Sequence, residues 1–145
     1  MFTKNTKTLW IVLCLLVSLC LCSCGAPAPE EPTPSLWDGA TYTTDTVLGE
    51  GAQVISVAVE MEGKTVVFAI RTDAETLGEA LLSVGLIAGE EGAYGLYVKT
   101  VNGVLADYDT SGAYWAFYEN GAYAPSGVDT TAVREDTVYR IVYAA

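Results

Sequence analysis

The chain has 145 residues, enough for one modest domain, and carries 18 acidic against 7 basic side chains, a net charge of -11. An acidic surface of that size repels nucleic acid and anionic headgroups, so nucleic-acid binding is excluded as a main role. There is no histidine, which removes the commonest general base and the commonest metal ligand.

Residues 1–23 read as a secretory signal. Lys4 and Lys7 precede an almost wholly apolar run from Thr8 to Cys22, too short and wrongly flanked for a comfortable span. Leu21-Cys22-Ser23-Cys24-Gly25 resembles a bacterial lipobox. That resemblance implies cleavage before Cys24 and diacylation of its thiol. Two or three acyl chains hold a protein on a membrane stably. The expected location is the bacterial cell membrane, lipid-anchored on the extracytoplasmic face. All four cysteines lie between Cys14 and Cys24, so the mature domain would have no disulfide.

Residues 24–52 read as a flexible tether. It opens on GAPAPEEPTP, with four of the five prolines and no large apolar group. Trp37 and Tyr42 follow among Asp, Thr and Gly, a loose continuation with room for one strand docking at a sheet edge.

The folded domain is expected over 53–145. Ile55, Val57 and Val59 alternate, Glu62-Gly63 turns, and Val66, Phe68 and Ile70 alternate again. Pairing about that turn sets Val59 opposite Val66, Val57 opposite Phe68 and Ile55 opposite Ile70. Every apolar side chain then falls on one face, and a one-residue slip would destroy this. Thr76-Leu77-Gly78-Glu79 is a capping box, Leu77, Ala80, Leu81 and Val84 follow at helical spacing, and Gly85 suits the C′ position. The result is a helix of two to three turns. Gly78 inside it costs roughly 1 kcal/mol relative to Ala, so either close packing needs the gap or the helix is marginal.

Residues 88–95, with Glu90 and Glu91, read as an acidic, Gly-rich loop. A strand at 96–101 turns at Asn102-Gly103 into Val104-Leu105, and 107–112 is a polar loop. Asn120-Gly121 then turns an aromatic hairpin, setting Tyr118 opposite Tyr123. Alternation puts Tyr114, Ala116, Tyr118 and Tyr123 on one face and Trp115 and Phe117 on the other. Pro125 stops the second strand because it cannot donate to a ladder. A loop over 126–136 precedes a last strand at 137–143.

The order implies an α+β fold: a small β-grasp-like domain with a mixed or antiparallel sheet, one short helix on it, and the first and last strands paired in the middle. The short Tyr-rich strands could instead form a second small sheet.

No serine has a base to activate it, none lies in a Gly-x-Ser-x-Gly elbow, and no phosphate loop precedes a helix. No catalytic residue and no metal ligand is assigned; Asp107 and Asp109 alone fall short of a calcium loop, and a solvated acidic loop is the plainer reading. Tyr114, Tyr118 and Tyr123 carry flat apolar bodies with hydroxyl handles, suited to flat ligands unless they pack as core.

Several pieces in order resemble a known family: TLGEALLSVGL ending at Leu86, then Tyr97-Val98-Lys99-Thr100-Val101-Asn102-Gly103, Tyr114-Trp115-Ala116-Phe117-Tyr118, Ser126-Gly127-Val128-Asp129 and Glu135-Asp136-Thr137-Val138-Tyr139. Together they look like the C-terminal β-domain of transcobalamin and intrinsic factor. Bacterial lipoproteins that carry this domain of unknown function alone look closer still. The resemblance covers roughly Val54 to Tyr143. It implies a non-enzymatic small-ligand-binding module for a corrinoid such as cobalamin, with Trp115 as the family's hairpin tryptophan and Pro125, Gly127 and Val128 in a loop near the ligand. In those transporters a large helical barrel supplies the other half of the site. Nothing in this sequence corresponds to it, and no histidine exists to ligate cobalt, so a surface or transporter protein would have to complete the site. The other expectation is an interaction module that docks on a second surface protein and takes no small ligand.

Overall fold

In the computed structural model, which describes residues 32–145, the alternating apolar run at Gln53–Met61 (β2) pairs antiparallel with Lys64–Thr72 (β3). The register is Val59 to Val66, Val57 to Phe68 and Ile55 to Ile70, as the one-face argument requires. Those six side chains are all buried. Glu62 and Gly63 at the turn have φ of 50° and 74°, the backbone of a type I′ turn, whose twist matches that of the strands.

Two sheets share the core. The larger has six strands in the order β1-β3-β2-β9-β7-β8, where β1 is Thr46–Gly49, β7 Tyr114–Glu119, β8 Ala122–Tyr123 and β9 Val138–Ala144. Near its middle β2 runs parallel to the last strand, β9. The smaller has three strands: β4 (Ile87–Gly92), β5 (Gly95–Val101) and β6 (Val104–Leu105). Among the described residues the fold is mostly β, mixed in the large sheet and antiparallel in the small one, with two short α-helices, α1 (Leu77–Ser83) and α2 (Tyr108–Ser111). Leu77, Ala80 and Leu81 of α1 join the inner face of the large sheet and Ile87, Val101 and Val104 of the small one in a single cluster.

Strand β4 corrects the loop expected over 88–95. Two glycines and two glutamates conceal a strand whose residues gain their order from β5. Glu90 pairs with Lys99 at 3.0 Å, and a Cβ on Gly89 would fall within van der Waals overlap of the Tyr97 carbonyl. The polar loop at 107–112 likewise contains a single helical turn, capped by Asp107, whose Oδ1 accepts from the Asp109 amide at 3.0 Å.

The compact unit runs from Pro34 to Ala145, so order begins ahead of the expected start at Gln53. Ser35 and Asp38 form a capping box on a 3-10 turn at Leu36–Gly39. The buried Trp37 donates from Nε1 to the Met61 carbonyl at 2.9 Å. Asn102, 1% exposed, clamps the next segment through two side-chain bonds to the Tyr42 backbone, and β1 then adds to the sheet edge as a parallel strand on β3. These ties are invisible in a segment rich in Asp, Thr and Gly because each partner lies far away in sequence. The expected signal segment, the expected lipidation site Cys24 and the proline-rich start of the expected tether lie outside the described residues. Among the described residues no helix is long and apolar enough to cross a membrane.

Candidate functional site: the groove beside the aromatic hairpin

The aromatic hairpin forms as its turn dictates. Asn120 has φ of 47° and Gly121 of 84°, and Tyr118 faces Tyr123. Trp115 is buried and Phe117 packs against the core, stacked on Tyr139 at 6.3 Å between centroids. Tyr114 and Tyr123 are exposed, at 38% and 64%. Tyr114 and Tyr123 are therefore surface, Trp115 is interior, and Phe117 and Tyr118 are both half-buried.

Helix α1 holds the loop that leaves the hairpin. The first amides of a helix lack intrahelical acceptors. Here Leu77 donates to the Thr131 carbonyl at 2.8 Å and Gly78 to the Val128 carbonyl at 2.7 Å. Thr76 caps the helix, accepting from the Glu79 amide at 3.3 Å. A Cβ on Gly78 would lie 2.9 Å from the Asp129 Cα. The gap at Gly78 is thus a requirement of close packing. Asp129 fixes the loop on its other side, where its Oδ2 accepts from the Leu96 amide at 3.2 Å. Thr131 closes the loop on itself, donating to the Gly127 carbonyl at 2.9 Å.

The docked loop, β7 and β5 enclose an open groove of about 360 Å³. Six of the seven expected ligand-binding residues line it: Tyr114, Trp115, Tyr123, Pro125, Gly127 and Val128. Tyr118 does not. It stands on the open face of the sheet, edge-on to Tyr123 at 5.4 Å, with the Arg140 guanidinium 4.9 Å above its ring. The opposite wall, Leu96, Tyr97 and Val98, was not anticipated. Those residues read as an ordinary strand, and no local signal says that β5 ends up across from β7.

Two buried polar atoms near the groove have no partner among the described residues, Trp115 Nε1 and Asp129 Oδ1. Buried donors and acceptors are nearly always paired, so an orphan calls for a reason. Trp115 lines the groove itself, edge-on to Tyr143 at 5.3 Å. Asp129 lies behind the wall, where a Cβ on Gly127 would come within 2.8 Å of Oδ1.

A second groove of about 360 Å³ lies across Pro125 and Ser126 and includes Thr130, Thr131, Arg134 and Tyr139. Its hydroxyls are largely spent on the loop: Thr130 and Thr131 donate to the Gly127 carbonyl, and Tyr139 donates to Ala132 and accepts from the Arg134 amide. Lys99 titrates above the ordinary lysine range, held there by its hydrogen bond and ion pair with Glu90, with burial opposing and Asp107 and Tyr97 adding smaller contributions.

Residues 74–141 match the model of a family described as "Domain of unknown function (DUF4430)". A crystal structure of a "putative metal binding protein" from Ruminococcus gnavus ATCC 29149 is 32% identical, with a TM-score of 0.60; the match covers 64% of this chain and 97% of that one. The chain belongs to the same family as that protein. A second solved structure, haptocorrin in complex with Cbi, is 15% identical with a TM-score of 0.52, covering 63% of this chain and 25% of haptocorrin. That likeness is one of fold. No curated protein sequence matches the chain. The shared region spans the helix, the small sheet, the aromatic hairpin and most of β9, and so includes every wall of the groove.

Proposed function

We propose that this chain is a lipid-anchored, extracytoplasmic, non-enzymatic binding domain whose small ligand lodges in the groove between β5, β7 and the loop 125–128. The observation that carries the reading is Trp115. It is 8% exposed, lines the groove and holds a donor without an acceptor. Leaving such a group unpaired costs about 1–3 kcal/mol, a cost that a ligand oxygen would remove once a local rearrangement exposes the indole N–H. Support for the anchor comes from the lipobox-like residues before Cys24. Support for the absence of catalysis comes from a chain with no histidine and no paired nucleophile and base.

The ligand class we put forward is a corrinoid, on the resemblance to the transcobalamin and intrinsic factor β-domain and the fold likeness to haptocorrin. The parallel pairing of β2 and β9 with a helix on one face also supports a β-grasp-like reading. The groove is open, so a partner protein would cover the rest of a bound corrinoid. The metal binding in the name of the R. gnavus protein is not carried over, because among the described residues no three His, Cys, Asp or Glu side chains gather around a common point.

The test is titration of dicyanocobinamide into the full-length chain extracted in mild detergent, followed by tryptophan fluorescence and melting temperature. Quenching together with a concentration-dependent rise in Tm is expected. A flat response at millimolar ligand removes the corrinoid reading for this chain without its partner. Mass spectrometry of the membrane fraction addresses the anchor, and an unmodified Cys24 refutes it.

A further inference from the structure

Alternation buries one face of the large sheet and turns the other away from the core. Ile55, Val57, Val59, Val66, Phe68 and Ile70 point inward, so the residues between them point out. Where one face of a sheet packs on a core, the outer face is ordinarily polar. Here it is not. The register lines up Val67, Ala58, Arg140 and Tyr118 in one row across β3, β2, β9 and β7. The adjoining row holds Val47, Ala69, Ser56 and Val138 across β1, β3, β2 and β9. Val47, Val67 and Val138 are 66%, 38% and 54% exposed. Ser56, Ala58 and Ala69 are small and half-buried, which keeps the middle of the face flat enough for a second sheet to approach. Contiguous apolar surface of this kind marks an interaction site.

Charge decides what covers it. The chain carries 18 acidic against 7 basic side chains, yet Arg140 is the one charged residue in these two rows. Its counterpart is Glu60 on β2, which pairs with Val142 and so stands diagonal to Arg140. The two side chains meet loosely, at 3.7 Å, and remain 43% and 32% exposed. The Nε of Arg140 has no hydrogen-bond partner among the described residues. A cationic or anionic partner would match one member of this pair and oppose the other. A second copy matches both: a two-fold axis through the face sets Arg140 against Glu60 of the partner subunit, and Glu60 against Arg140 of the partner subunit. The charges cancel at the one face where two strongly acidic chains can approach without repulsion.

The area is adequate. At about 3.3 Å per residue and about 4.8 Å between strands, the six strands cover a plane on the order of 600 Å². Side chains stand off that plane and add to its accessible surface, which brings the face close to the roughly 800 Å² that each partner gives to a standard interface.

We propose that the chain forms a symmetric dimer through the outer face of its large sheet, with Arg140–Glu60 ion pairs across the axis. Tyr118, which the groove leaves out, then supports the interface by holding the Arg140 guanidinium over its ring at 4.9 Å.

The test is sedimentation equilibrium of the full-length chain in density-matched mild detergent at micromolar concentrations. A concentration-dependent dimer is expected. Arg140→Glu and Glu60→Arg should each weaken self-association at least about tenfold, because each puts like charges face to face. An equimolar mixture of the two variants should dimerise again, since one copy then offers two acids and the other two bases. Melting temperatures of the variants check that both fold. If either does not, Val67→Arg, at an exposed position of the same row, should abolish the dimer. A parent chain that stays monomeric overturns the inference and leaves the face to a different protein or to the residues ahead of Pro34. So does a dimer indifferent to all three substitutions, or a mixture of the two reversals that stays monomeric.

Discussion

Replacing Gly78 by Ala sets two effects of known size against each other. In an exposed helix interior the change stabilises by about 1 kcal/mol, because Ala loses less backbone entropy. At Gly78 the added methyl would stand 2.9 Å from the Asp129 Cα, 3.1 Å from its amide nitrogen and 3.3 Å from the Val128 carbonyl carbon. All three are backbone atoms, which cannot rotate aside as a side chain would. Overpacking of this kind costs about 1–3 kcal/mol. Relief requires moving the loop, which stretches the bonds from Leu77 to Thr131 and from Gly78 to Val128, each worth about 1 kcal/mol. Sterics outweigh propensity, and Gly78→Ala should destabilise by about 1–2 kcal/mol, a fall in Tm of roughly 4–12 °C for a domain near this size. Urea unfolding of the full-length chain measures the first quantity and thermal melting the second. Amide shifts at Val128 and Asp129 report whether the loop moved. Gly85→Ala is the comparison, since nothing lies within 4 Å of a Cβ there and the cost comes only from the φ of +68°. A Gly78→Ala protein as stable as the parent, or more so, would refute the claim that helix and loop are in backbone contact.

Three further outcomes are expected. Tyr123→Ala should cost under about 1 kcal/mol, since the ring is 64% exposed, whereas Phe117→Ala, against Tyr139 and the core, should cost about 3 kcal/mol; similar losses in urea melts would place the tyrosine face in the core instead. Trp37→Phe should lose about 1–2 kcal/mol by leaving the Met61 carbonyl without its donor, and an unchanged urea midpoint would mean that Ser35–Gly39 is not part of the folded unit. Glu90→Gln should bring the Lys99 pKa down toward the ordinary lysine value in an NMR titration. Because that pKa is raised on folding, the pair's stabilisation is present below the unfolded lysine pKa and fades as pH climbs through the folded one. An unaltered Lys99 titration would show that Glu90 is not the cause.

Legibility in the sequence tracked how local each determinant was. The register of β2 and β3 follows from apolar alternation and a two-residue turn, both within twenty residues of chain. The cap at Thr76, the C′ glycine at Gly85 and the pairing of Tyr118 with Tyr123 are equally local. Strand β4 was not legible, because Gly89, Glu90 and Glu91 have no strand preference of their own and are ordered by β5. Neither was the role of Trp37, whose partner Met61 lies far along the chain.

For the site, the sequence by itself determined which residues of β7 share a face, where β8 must stop, and that a glycine-bearing loop follows Pro125. Those are consequences of side-chain alternation, a turn that needs positive φ, and a residue without an amide proton. Only the tertiary structure decided that β5 stands across from β7, that Tyr118 is left out of the groove, and that the first amides of α1 hold the loop against Asp129. Each of these depends on groups brought together by the closing of one core under two sheets, and chain order alone carries no record of such distances.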